Sequence, residues 1–95
     1  MSELKTKQAQ TDILNRLRRA EGQIRGIQRM VEEGESCLKI GQQFSAVRSA
    51  LDSTYLRMTV CYMEQELDAC MQPEGDKPDV AELLKNMETM LARMS

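Results

Sequence analysis

The sequence predicts an all-α fold: a three-helix protomer, short–long–short, that assembles with copies of itself. Three observations predict it. From Ile40 to Gln65 the residues Phe44, Val47, Leu51, Thr54, Met58 and Cys61 step by four and three in alternation, the spacing of a helix packed along another helix. A second seam of the same kind runs through Ile13, Leu17, Ala20, Ile24, Ile27 and Val31. No stretch alternates apolar with polar residues or gathers β-branched ones as a strand does.

Taken in order, Met1 to about Gln10 is polar, and residues 1–11 are expected to form a flexible tail. The remainder, residues 12–95, reads as one helical domain. Thr11 or Asp12 suits the first N-cap, since a short side-chain oxygen accepts from the exposed N–H groups of a first turn. Gly34 is placed to close that helix in the left-handed region. Gly22 and Gly26 lie inside the pattern, each costing about 1 kcal/mol against Ala, which predicts close approach of another helix there.

The long second helix is predicted from Glu35 or Ser36 to about Met71, with Cys37–Ala69 as its body. Pro73 and Gly75 end it, and Pro73–Asp79 reads as a turn. Pro78 fits the first turn of a third helix, where a missing N–H is harmless. Val80, Leu83, Leu84, Met87, Met90, Leu91 and Met94 give that helix an apolar stripe. Apolar faces this wide on 95 residues leave apolar surface uncovered in a monomer. A dimer, or a dimer of dimers, would cover it.

Composition narrows the function classes. No apolar run reaches the ~20 residues of a membrane span, and Met1–Gln10 has no signal-peptide pattern. Three cysteines cannot all pair within the chain, which favours a reducing, cytoplasmic setting with free thiols. No nucleophile–base pair, phosphate loop or carboxylate dyad is present, so catalysis is not expected.

Charge is unevenly placed. Arg16, Arg18, Arg19, Arg25 and Arg29 face only Glu21 in the first helix, a local balance of +4. Arg48 and Arg57 extend the basic character onto the second helix, whereas Cys61–Asp79 carries a balance of −5. Two solvated faces of opposite sign are the plain reading. The residue type supports a sharper one. All five cations of the cluster are Arg, whose guanidinium grips phosphate oxygens with two donors at once. Repeated by symmetry, such a patch suits a nucleic-acid backbone, although no helix-turn-helix signature accompanies it.

Of the cysteines, Cys61 lies on the seam and Cys70 near the helix end, where a small core residue is the plain reading. Cys37 stands at the first turn of the second helix, near Lys39, where unpaired N–H groups and the positive end of the dipole favour a thiolate. Cys37 and Cys61 are 24 residues apart, about 36 Å at a helical rise of about 1.5 Å per residue. They meet only if a second copy of the helix runs antiparallel to the first. The chain has no His, which disfavours a typical zinc site. Paired thiolates suit a soft ion such as Cu(I) or oxidation to a disulfide or persulfide-derived link.

Longer motifs point to a known family. Ile13–Arg19, Glu21–Ile27, Met30–Glu33 before Cys37, and Ser45–Leu51 resemble the CsoR/RcnR/FrmR repressors. The match runs from about Asp12 to Leu67, and the third helix agrees in kind. The resemblance implies an antiparallel dimer, a disc-shaped tetramer, and operator binding through an arginine-rich face. It also implies release of DNA when an effector engages the dimer's cysteine site. Members sense Cu(I), nickel or cobalt, formaldehyde or reactive sulfur.

Cys37 matches the family's first cysteine position. Copper sensors carry a His and a Cys where this chain has Tyr62 and Glu66. Reactive-sulfur sensors keep that second Cys, and formaldehyde sensors use an N-terminal Pro where this chain has Ser2. Cys61 is one residue from the expected position.

Three readings follow. In the first, a repressor uses Cys37 and the partner's Cys61 to sense reactive sulfur or thiol oxidation. In the second, the same repressor binds a soft metal through Cys37, Cys61 and Cys70 or Met58. In the third, the chain is a helical oligomerisation module without DNA. For DNA contact the sequence nominates Arg16, Arg19, Arg25 and Arg48, then Arg18 and Arg57.

Overall fold

Thr6 starts the first helix. Its Oγ1 accepts from the Ala9 N–H at 3.1 Å, and α1 then runs Lys7–Glu32 in a computed structural model that describes residues 6–72 and 79–94. The start lies five residues before the expected one. Thr11 and Asp12 are within the helix rather than capping it. The reason is local: a capping Thr followed by Lys, Gln and Ala, all compatible with a helix, extends α1 through a stretch with no apolar period.

The other end of α1 follows expectation. Gly34 has φ +71°, its N–H donates to Val31 O at 3.2 Å, and the Glu35 N–H donates to Met30 O at 3.0 Å. That pair of bonds satisfies the last carbonyls, and only glycine adopts the reversal without strain. Gly22 and Gly26 do not sit at a notch within the protomer, because no described atom beyond the adjoining backbone of α1 comes within 4 Å of where their Cβ would be.

Ser36 caps α2 through its Oγ, which accepts from the Lys39 N–H at 3.3 Å, and α2 runs Cys37–Met71. Asp79 caps α3 by accepting from the Ala81 N–H at 3.0 Å, and α3 runs Val80–Ala92. The predicted turn at Pro73 and Gly75 and the placing of Pro78 lie outside the described residues, as does Ser2. Among the described residues there is no strand, and no helix is long and apolar enough to cross a membrane.

α1 and α3 both pack on α2 and, among the described residues, not on each other. α1 lies antiparallel to α2, with Ile27 near Val47 at one end and Ala9 near Cys61 at the other. The core between them is built at every seventh residue: Ile13, Ala20 and Ile27 of α1, and Val47, Thr54 and Cys61 of α2, are all buried. Thr54 survives there because its hydroxyl donates to Ala50 O at 2.8 Å, which removes the cost of an unpaired buried polar group. Thr59 does the same with Tyr55 O at 2.8 Å. α3 is tied down by the Tyr55 hydroxyl, which donates to Met90 O at 2.9 Å, and by buried Leu83.

The seam expected to face a second copy of α2 is therefore used partly inside the protomer. Its remaining members stay open: Phe44 is 58% and Leu51 40% exposed. With Ile24 and Val31 of α1 they line an apolar groove between the helices. The molecule is long and thin, 59 × 27 × 15 Å, a shape with little interior for its surface.

Candidate nucleic-acid interface and effector thiols

The arginines divide by helix geometry. At about 100° per residue, Arg18, Arg25 and Arg29, seven and four residues apart, share one stripe of α1. Arg16 and Arg25 are nine residues apart, about two and a half turns, so Arg16 lies on the opposite side, next to α2. Arg48 and Arg57 have the same nine-residue separation. Arg48 borders the apolar groove, and Arg57 faces the other flank, toward the first turns of α1. The basic face predicted as one surface is thus divided within a protomer: an outer stripe of α1, a flank shared by α1 and α2, and Arg48 apart from both at the edge of the groove.

That flank is organised by a residue that the sequence suggested only as a cap. Asp12 Oδ1 accepts from Arg16 Nε at 3.1 Å, and Asp12 Oδ2 accepts from Arg57 Nε at 3.2 Å. The Arg16 hydrogen bond, partly opposed by desolvation and reinforced by Arg57, holds the Asp12 carboxyl below its ordinary value. The Asp12 carboxylate in turn raises the proton affinity of Arg57. The four-residue spacing of Asp12 and Arg16 was visible in the sequence. The 45-residue link to Arg57 was not.

Elsewhere the cations are loosely held. Arg25 meets Glu21 at 3.7 Å, and Arg18 Nη1 donates to Asn15 Oδ1 at 3.4 Å. Among the described residues, Arg19, Arg29 and Arg48 enter no ion pair. They remain exposed on the surface, with their donors available to a polyanion.

The three thiols are free and differ in access: Cys37 is exposed, Cys70 half-buried, Cys61 buried. Cys37 is the first residue of α2, as expected. Lys39, expected as a cation beside the thiol, is paired instead with Glu35 at 3.6 Å. Cys61 is only 8% exposed. It lies on the face of α2 that carries Val47 and Thr54, beneath its own chain's α1 and beside Ala9. It also lines a surface pocket with Thr6, Ala9, Glu64, Gln65 and Asp68. The positions where the family resemblance expects a His and a Cys hold half-buried Tyr62 and buried Glu66. Among the described residues no three His, Cys, Asp or Glu side chains converge as metal ligands. Among the described residues the one exposed thiol is that of Cys37, at the start of α2.

Comparison with known proteins agrees with this layout. Residues 9–93 match the family described as metal-sensitive transcriptional repressor. The chain is 42% identical over 64 residues to the copper-sensing transcriptional repressor RicR of Mycobacterium tuberculosis, a stretch covering 67% of this chain and 62% of that relative. That match therefore spans less than two thirds of the relative's length. It is 37% identical over 81 residues to the copper-sensing transcriptional repressor CsoR of Bacillus subtilis, covering 84% of this chain and 79% of the relative. In fold it resembles the solved nickel-responsive transcriptional regulator InrS, with a TM-score of 0.73 at 28% identity over 100% of this chain and 99% of the other.

Proposed function

The chain belongs to the metal-sensitive transcriptional repressors, and on that premise we propose that it binds operator DNA through the arginines of α1 and releases it when a soft, thiol-seeking effector engages Cys37. The observation that carries the DNA half is the pattern of free cations. α1 presents five arginines, and Arg19, Arg29 and Arg48 have no internal ion pair among the described residues. Arg16, Arg18, Arg25 and Arg57 complete the contact set. The apolar groove at Ile24, Val31, Phe44 and Leu51 supports assembly of two antiparallel copies and, with the leucines exposed elsewhere, a tetramer.

For the effector, Cu(I) is the first candidate. Exposed Cys37 supplies one thiolate, and two copper-sensing repressors are 42% and 37% identical to the chain over the stretches they match. Cys61, buried but at the edge of a surface pocket, and half-buried Cys70 are the further thiols a soft ion would take. A specific observation supports a second reading. The chain has no His, and an exposed thiol at a helix start needs no co-ligand to react with a sulfur oxidant.

Binding to a duplex that the protein itself selects from a random library tests the DNA half. Affinity should fall steeply with salt, by about 0.9 log units per log unit of salt for each phosphate contact. A helical oligomerisation module without DNA binding would show no such complex. Anaerobic titration with Cu(I), beside treatment with an organic tetrasulfide, separates the effectors. Stoichiometric release by Cu(I) supports the metal, and release only with a new sulfur link at Cys37 supports the oxidant.

A further inference from the structure

We propose that Asp12 is a positioning residue for DNA binding, whose single carboxylate holds Arg16 and Arg57 side by side with their outer donors turned to phosphate. The proposal rests on the DNA-binding reading above and names how one part of that surface is set.

Geometry carries it. Both arginines meet Asp12 through Nε, at 3.1 and 3.2 Å. Nε lies on the inner edge of the guanidinium, so the terminal nitrogens of each remain available for paired donation to a phosphate. A carboxylate competing with DNA for these residues would take that terminal fork. A carboxylate serving only to brace α1 on α2 needs only Arg57, since Arg16 and Asp12 lie on the same helix and their contact joins nothing to α2. What the Arg16 contact does is fix a long side chain in one rotamer. The three side chains are 37%, 37% and 47% exposed, open enough for a phosphate to reach and open enough that ion pairing contributes little to stability. Ordering two long side chains in advance lowers the entropy lost on binding.

The charge makes the test sharp. Asp12→Asn removes a negative charge from a basic surface, so electrostatics alone would tighten binding to any duplex and steepen its salt dependence. Positioning predicts the opposite for the selected duplex. The full chain carrying Asp12→Asn should bind it about tenfold more weakly, each freed long side chain costing a few-fold. Binding to a scrambled duplex of equal length should stay at the wild-type level or rise. Asp12→Glu, which keeps the charge, should recover part of the loss.

Fluorescence anisotropy over a salt series reads both duplexes, and circular dichroism follows the fold. Tighter binding of Asp12→Asn to both duplexes, an unchanged ratio between them, or loss of its helical signal would each overturn the proposal. Arg16→Ala and Arg57→Ala separate the two levels. If they weaken binding while Asp12→Asn does not, only the role of Asp12 fails. If they bind as wild type, this flank is not a DNA surface and the proposal falls with that reading.

Discussion

The two ends of the α1–α2 pair are built from the same seven-residue core step but are finished differently. At the end where Ala9 meets Cys61, the pair is closed. Asp12 crosses to Arg57, and α3 lies along α2, with Tyr55 bonded to Met90 and Arg93 near Leu51 and Tyr55. At the end where Ile27 meets Val47, only the inner core is covered, and Ile24, Val31 and Phe44 are 43%, 59% and 58% exposed. One end is tied together by the chain's own cross-links, although Leu14, Leu17 and Leu56 there are 47%, 43% and 47% exposed. The other offers an apolar surface of the kind a monomer does not keep exposed. Stability of the protomer and assembly with a copy are therefore expected to separate by position.

The largest expected effect is at the open end. Phe44→Asp should abolish assembly, read as a fall to monomer mass in sedimentation. A charge there has no partner to offset its burial against a second apolar face. If Phe44→Asp assembles as wild type, the open end is not the interface. At the closed end, Ile13→Ala removes a buried side chain and should cost about 2–4 kcal/mol in denaturant unfolding. Val31→Ala at the open end should cost far less when both are measured in the Phe44→Asp background. Equal costs would erase the contrast.

Smaller effects sharpen it. Gly34→Ala places a Cβ at φ +71° and should cost about 1 kcal/mol wherever assembly stands. The smallest is acid sensitivity at Asp12. Its folded carboxyl titrates below its ordinary value, chiefly through the Arg16 hydrogen bond. The stability it contributes is therefore present above the unfolded carboxyl's value and is lost as pH falls through the lower folded one. Unfolding midpoints of wild type and Asp12→Asn should differ near neutrality and converge in acid, below about pH 4. A gap that persists there would contradict this assignment.

How much of this was legible in the sequence follows from the range of the forces. The caps at Gly34 and Ser36, the end of α2 at Met71 and the stripe of α3 rest on neighbours within a few residues, and local pattern shows them. The start of α1 at Thr6 was missed because its first turns carry no apolar period, only residues compatible with a helix. The seam of α2 was legible as a seam. It did not say which members meet α1 and which stay open, and so it did not show that Cys61 is buried within its own protomer. The five arginines of α1 read as one patch because charge was counted along the chain. Spacing around the helix puts Arg16 and Arg25 on opposite sides. Asp12 became legible only when folding brought Arg57 across 45 residues.

The role assigned to Cys37 is tested most directly by one competition. Wild type and Cys37→Ser, each bound to the selected duplex, are exposed anaerobically to Cu(I) and, separately, to an organic tetrasulfide while anisotropy follows the DNA. Release from wild type by one of the two reagents, with Cys37→Ser holding its duplex against both, is the predicted result. Release that is undiminished in Cys37→Ser would show that the exposed thiol of α2 is not the switch.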